Sequence, residues 1–172
     1  EFIKTYSGPE WRLNLRYRFT PNSSVKLSIN RLRQYLSMLS NTMAISPTDT
    51  WKLSDPHIKP QTGDQVALGF YHDIPGQRVE TSLELYYKSI HNMIEYNGGA
   101  QLLLNEFLEQ DLINARGKAY GVEMMVKRTA GKLNGWISYA YSRTLVRADS
   151  EFPSERINNG AWFPANHDKP HE

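Results

Sequence analysis

Few residues in this chain have the types and spacing that chemistry needs. His167 and His171 lie four apart around Asp168, a spacing that on a helix would offer two imidazoles to one metal ion. No helical period surrounds them, Pro170 intervenes and no third ligand is apparent, so the segment reads as a polar loop just before the next strand. His57, His72 and His91 are scattered over loops and strand ends. Glu80 and Glu84 share one face of one segment, as paired carboxylates in a hydrolase do. They are further apart than nearest same-face neighbours, however, and arginines are expected on other walls, so ion pairing is the better reading. No Ser-His-Asp spacing, P-loop or dinucleotide fingerprint is present, and the sequence assigns no catalytic residue, no cofactor site and no metal ligand. Trp51, Trp162 and Phe163 fall in long irregular stretches, where aromatic rings either stack on a sugar or other flat ligand or anchor the loop. These three are the substrate-binding candidates. Arg12, Arg16 and Arg18 form a basic ladder suited to an anionic substrate or to salt bridges with carboxylates.

The element that must carry that ladder is Trp11 to Phe19. Its odd positions are apolar or aromatic and its even positions charged or amide, which is the period of a β-strand with one greasy face and one wet face. Similar alternation marks strands at about 25–33, 65–73, 79–90, 118–128 and 135–145. The connections run short, long, short, long, short, long. Thr20-Pro21-Asn22-Ser23-Ser24, Ile74-Pro75-Gly76-Gln77 and Thr129 to Asn134 are tight reversals, whereas 34–63, 91–115 and the tail from Val146 are long. A Leu102-Leu103-Leu104 run suggests a short helix or strand inside the second long connection. Strands of about 9 to 11 residues joined this way match a transmembrane β-barrel of the bacterial outer membrane, with short turns in the periplasm and long loops outside.

Composition permits this. Among the 172 residues, 20 basic and 18 acidic side chains are interspersed for a net charge of +2, which gives no nucleic-acid surface. No apolar run approaches the roughly 18 residues of a membrane helix, a test that barrel strands escape. Cysteine is absent, excluding a disulfide scaffold and thiolate metal sites. The chain opens on Glu1-Phe2-Ile3 without Met, signal peptide or lipidation motif, and is expected to be part of a longer mature protein.

In a barrel, Val25, Leu27, Ile29, Val66, Leu68, Phe70, Leu83, Leu85, Val122, Met124, Val126 and Ile137 form the lipid band. Tyr17, Phe19, Tyr87, Tyr120, Tyr139 and Tyr141 supply the aromatic girdles. Arg12, Arg16, Arg18, Lys26, Glu80, Glu84, Glu123 and Lys127 face the interior. The reverse assignment would put these charges into hydrocarbon at about 2 to 4 kcal/mol each near the midplane. A soluble β-sandwich alternates too, but its connections are usually shorter and less regular in length.

Several segments add a resemblance. Tyr35 to Thr42, Ser46 to Asp55, Ile58-Lys59-Pro60-Gln61, Ala119 to Glu123 and Gly135 to Ser142 resemble, in order, the barrel of TonB-dependent outer-membrane receptors of the Bacteroidota type. The resemblance spans most of the chain. It implies an all-β, antiparallel up-and-down meander of about six strands that belongs to a 22-stranded transmembrane barrel with a plugged lumen. It implies nutrient uptake into the periplasm of a Gram-negative cell rather than enzymatic activity. The implied partners are outer-membrane lipid, the plug domain and remaining strands, a TonB-type energy-transducing protein, and a surface lipoprotein. Neither the plug nor the segment that engages the energy-transducing protein matches anything in these residues. The substrate is left open among siderophore, glycan, peptide and cobalamin. The alternatives are a passive porin-like barrel and a soluble secreted or surface-displayed β-rich binding domain.

Overall fold

The computed structural model describes residues 4–39, 50–56, 58–96, 112–148, 150 and 156–172. His57 and the Leu102-Leu103-Leu104 run lie outside the described residues.

The strands are β1 (Trp11–Thr20), β2 (Ser23–Gln34), β3 (Leu36–Leu39), β4 (Thr50–Leu53), β5 (Gln61–Ile74), β6 (Val79–Tyr96), β7 (Leu112–Arg128), β8 (Gly135–Arg147) and β9 (Phe163–Pro164). β1, β2, β5, β6, β7, β8 and β9 pair in that order into one antiparallel sheet, and β3 with β4 forms a separate hairpin. The architecture is therefore an all-β antiparallel meander, an open wall rather than a closed barrel. All six expected strands are present. The three tight reversals lie at one end of the wall, and Gly76 adopts the φ of +79° that the Pro75-Gly76 turn requires of its third residue.

Directly opposed residues in an antiparallel pair share a face, so the register turns six alternating strands into rows. One row reads Leu15, Leu27, Leu68, Leu85, Val122, Tyr141. Its neighbours read Tyr17, Val25, Phe70, Leu83, Met124, Tyr139 and Leu13, Ile29, Val66, Tyr87, Tyr120, Arg143. The opposite face carries Arg16, Lys26, Gly69, Glu84, Glu123, Ala140 and, beside it, Asn14, Ser28, Ala67, Tyr86, Gly121, Ser142. Apolar and polar faces thus stay in phase across the whole wall. Leu15 is 54% exposed, Leu68 46%, Leu85 44% and Met124 48%, and no second layer covers them among the described residues. A sandwich would have buried that face; here it needs lipid or another apolar surface. Tyr139 and Tyr141 share rows with Leu83 and Leu85. Barrel strands tilt by about 35–45°, so a row perpendicular to the strands climbs across the wall and its members stand at different membrane depths.

On the polar face the Tyr86 ring lies over Gly121 of the neighbouring strand. A Cβ on Gly121 would meet the Tyr86 ring at 2.8 Å and the Tyr141 carbonyl oxygen at 2.6 Å, and the latter cannot rotate away. Gly121→Ala in the full-length protein should therefore lower the urea midpoint for unfolding from lipid vesicles, by about 1–3 kcal/mol of stability. Gly63→Ala meets nothing nearer than Lys88 Cε at 3.5 Å and should leave it in place.

β6 and β7 run past the rest of the wall at the long-connection end. Between Ile90 and Met93 an extra residue shifts the register against β7, and Asn92, at φ +56°, donates from Nδ2 to the Pro60 carbonyl at 3.0 Å. Beyond it Glu95 faces inward beside Met93, and Ile94 shares the outward-facing row of Asn114. Ile113, Ala115, Val146, Ala148 and Ala165 bury a small core at this end, against which Met93, Ile157 and Phe163 pack. The tail is more ordered than its composition suggests. Phe163–Pro164 pairs with β8, and the Pro170 carbonyl and Glu172 backbone bond to Ser142 and Ala140, so residues 163–172 line the edge of β8 with a turn at 165–168 between.

Candidate functional site

The inner face is electrically divided. Arg12, Arg16, Arg18 and Lys26 lie on β1 and β2, whereas β6 and β7 carry Glu80, Glu84 and Glu123 together with Lys88 and Lys127. Three opposed pairs carry like charge, Arg16 with Lys26, Asp73 with Glu80 and Glu84 with Glu123, which is unfavourable unless something else compensates. Tyr71 on β5 spans the divide. Its hydroxyl donates to Glu84 Oε1 at 3.0 Å and its ring lies 5.8 Å from the Arg16 guanidinium, which in turn donates to Ser24 Oγ at 3.0 and 3.1 Å. Glu80 pairs weakly with Lys127 at 3.9 Å, both half exposed. Glu80 and Glu84 are thus each engaged by a neighbouring strand. Towards the outer end this face forms a cleft of about 430 Å³, lined among others by Glu10, Arg12, Asn30, Gln34, Gln65 and Lys88. It offers both charges and several amides, a surface for a polar, hydrogen-bonding ligand.

The outer face treats charge differently. Two cations near the apolar band are matched to carboxylates: Arg31 holds Asp64 through two bonds of 2.6 and 2.9 Å, and Arg143 donates from Nε to Asp168 at 2.9 Å. Asp168 also accepts the Thr144 backbone N–H at 2.6 Å. Further out, a cleft of about 530 Å³ is lined by Lys59, His91, Asn92, Leu112, Asn114, Ala115, Arg116, Arg147, Ser150 and Trp162. Lys118 Nζ sits 4.2 Å over the Trp162 ring beside it.

A family model described as TonB dependent receptor-like, beta-barrel matches residues 1–168. The chain belongs to that family. No curated protein and no solved structure matches it. The family comprises outer-membrane receptor and transporter barrels of Gram-negative bacteria, not a class of enzymes, and its members in general work with a plug domain and with TonB.

Within this receptor barrel the three aromatic candidates have separate surroundings. Trp51 stands on β4 and is 62% exposed. Trp162 lines the outer cleft, and Phe163 packs against the small core on the opposite face. His171 bonds to the Tyr139 hydroxyl through Nδ1 at 2.8 Å, with its ring 5.4 Å from that of Tyr141, and Asp168 is engaged by Arg143. No three His, Cys, Asp or Glu side chains are grouped to hold a metal among the described residues. Glu95, in the part of β6 beyond the apolar band, is a group that sequence reasoning passed over. Burial holds its carboxyl above the usual range, partly countered by the charge of His167. Neither cleft was legible as a motif, because each gathers residues from separate segments whose juxtaposition is set by register.

Proposed function

We propose that residues 1–172 are one stretch of a receptor barrel wall in the outer membrane of a Gram-negative cell, serving the uptake of a scarce nutrient into the periplasm. The observation that carries this reading is the segregation of faces, apolar outward and charged inward, held in register over six strands of a receptor-family barrel. The divided inner face fits a lumen filled by a folded plug, which would set carboxylates against Arg16 and Lys26 and cations against Glu84 and Glu123. The inner cleft at the outer end is the part of this stretch best placed to meet the nutrient, and Trp51, exposed on the β3–β4 hairpin, is a candidate stacking group. Energy comes from a TonB-type partner acting on the plug, a surface lipoprotein is a further candidate partner, and no step of the cycle makes or breaks a covalent bond in the nutrient.

Uptake by cells carrying the full-length protein tests this. Deleting the energy-transducing partner should abolish accumulation of the nutrient while leaving its binding at the cell surface intact. Accumulation that persists without the partner would make the protein a passive pore, and recovery of the protein in the aqueous fraction without detergent would remove it from the membrane altogether.

A further inference from the structure

Where the inner face forms its cleft, it departs from its own pattern. The two rows below, Arg12-Asn30-Gln65-Lys88 and Asn14-Ser28-Ala67-Tyr86, are polar or small. Leu32 on β2 and Ile90 on β6 are apolar, and Leu32 is 39% exposed although it shares the interior-facing side of those rows. Both lie directly opposite Gly63 on β5, one on each side. With neighbouring strands about 4.8 Å apart, the three residues make a floor roughly 10 Å wide. A Cβ on Gly63 would meet nothing nearer than Lys88 Cε at 3.5 Å among the described residues, so the middle of that floor is a notch with apolar side chains at its sides. Primary amides bracket the notch along the strands. Asn30 opposes Gln65 in the row below it, and Gln34 opposes Gln61 in the row above, the two pairs about 13 Å apart. Gln34 Nε2 donates to the Leu36 carbonyl at 2.7 Å, which holds that side chain at the rim. All seven residues line the same cleft of about 430 Å³.

We infer that this notch seats a pyranose ring of a saccharide. The inference rests on the receptor reading proposed above and names the class of nutrient. A pyranose has weakly polar C–H faces and a rim of hydroxyls, each able to donate and to accept. Leu32 and Ile90 give one face its apolar contact, and primary amides, which also both donate and accept, match the rim. Gly63 lets the ring come close to the backbone of the wall. A peptide fits less well, because it binds a sheet chiefly through its main chain and β5 is already paired on both sides, with β2 and β6.

The test compares the full-length receptor, extracted in mild detergent, with Gly63→Leu, which fills the notch, and with Asn30→Ala/Gln65→Ala, which removes the lower amide pair and stands in if the first fails to assemble. The probe is a mixture of short oligosaccharides from hydrolysed starch, xylan, mannan, galactan and pectin, and native mass spectrometry reads what is retained. The wild type should retain at least one of them, and each assembled variant should retain it about tenfold or more weakly. Lys118→Gln, on the outer face, should retain it like the wild type. Retention of no oligosaccharide by the wild type, or unchanged retention by either assembled variant, overturns the inference, and so does retention of a ferric hydroxamate or a tripeptide from an equimolar mixture in place of every sugar. Heat-modifiable migration reports assembly separately. An assembled membrane protein that fails the sugar comparison loses this inference alone, whereas a protein recovered without detergent loses the receptor reading and this one with it.

Discussion

Leu27→Arg removes the full-length receptor from the outer membrane, and Ser28→Arg leaves it there. The two positions are neighbours on β2 and the substituted residue is the same, so propensity, size and charge cancel in the comparison. Leu27 lies between Leu15 and Leu68 in the central apolar row. A guanidinium there faces acyl chains on a central row, at about 2–4 kcal/mol. Ser28 lies on the inner face, where its hydroxyl donates to Asn14 Oδ1 at 2.7 Å. Arginine at that position loses one exposed hydrogen bond and adds to the basic half of the lumen wall, about 1 kcal/mol in all. The amount of heat-modifiable protein in isolated outer membranes measures the difference. Equal loss for both variants would mean that the inside and outside faces are assigned wrongly.

The second large effect belongs to Asp168. Its side chain is 6% exposed and it neutralises Arg143, which otherwise stands in an apolar row with Leu13, Ile29, Val66, Tyr87 and Tyr120. Removing one partner of such a pair leaves the other charge without compensation, so Asp168→Ala should lower the urea midpoint for unfolding from vesicles. Arg143→Leu should then be far cheaper in the Asp168→Ala background than in the wild type, because the stranded charge has gone. A cycle of the four proteins isolates this coupling, and additive effects would show that the pair contributes little.

The six main strands and the separation of faces could be read from the sequence because both depend on the same period of two, which the chain keeps from Trp11 to Phe19 and from Val79 to Ser89. What escaped is what breaks that period. The outer ends of β6 and β7 were read as loop because the extra residue near Asn92 puts the alternation out of phase. The segment 163–172 read as irregular because Pro164, Pro170 and the turn at 165–168 interrupt its pairing with β8. β3 and β4, four residues each, are too short to show a period at all. The clefts and the Arg143–Asp168 pair depend on cross-strand register and on contacts between distant segments, and neither is written in local composition. Phe163 illustrates the limit: its ring was expected at a ligand or in loop packing, and local sequence could not show that Ile113 and Val146 would meet it.

The inserted residue in β6 also bears on how such a receptor diversifies. Beyond Ile90 the extra residue sends Glu95 inward and Ile94 outward, the reverse of what strict alternation would give. A one-codon deletion there would exchange the two sides of the outer arm of β6 while leaving the membrane-crossing part below untouched. The side chains that this arm presents to its two faces can therefore be exchanged in a single genetic step, while the register below Ile90 is kept.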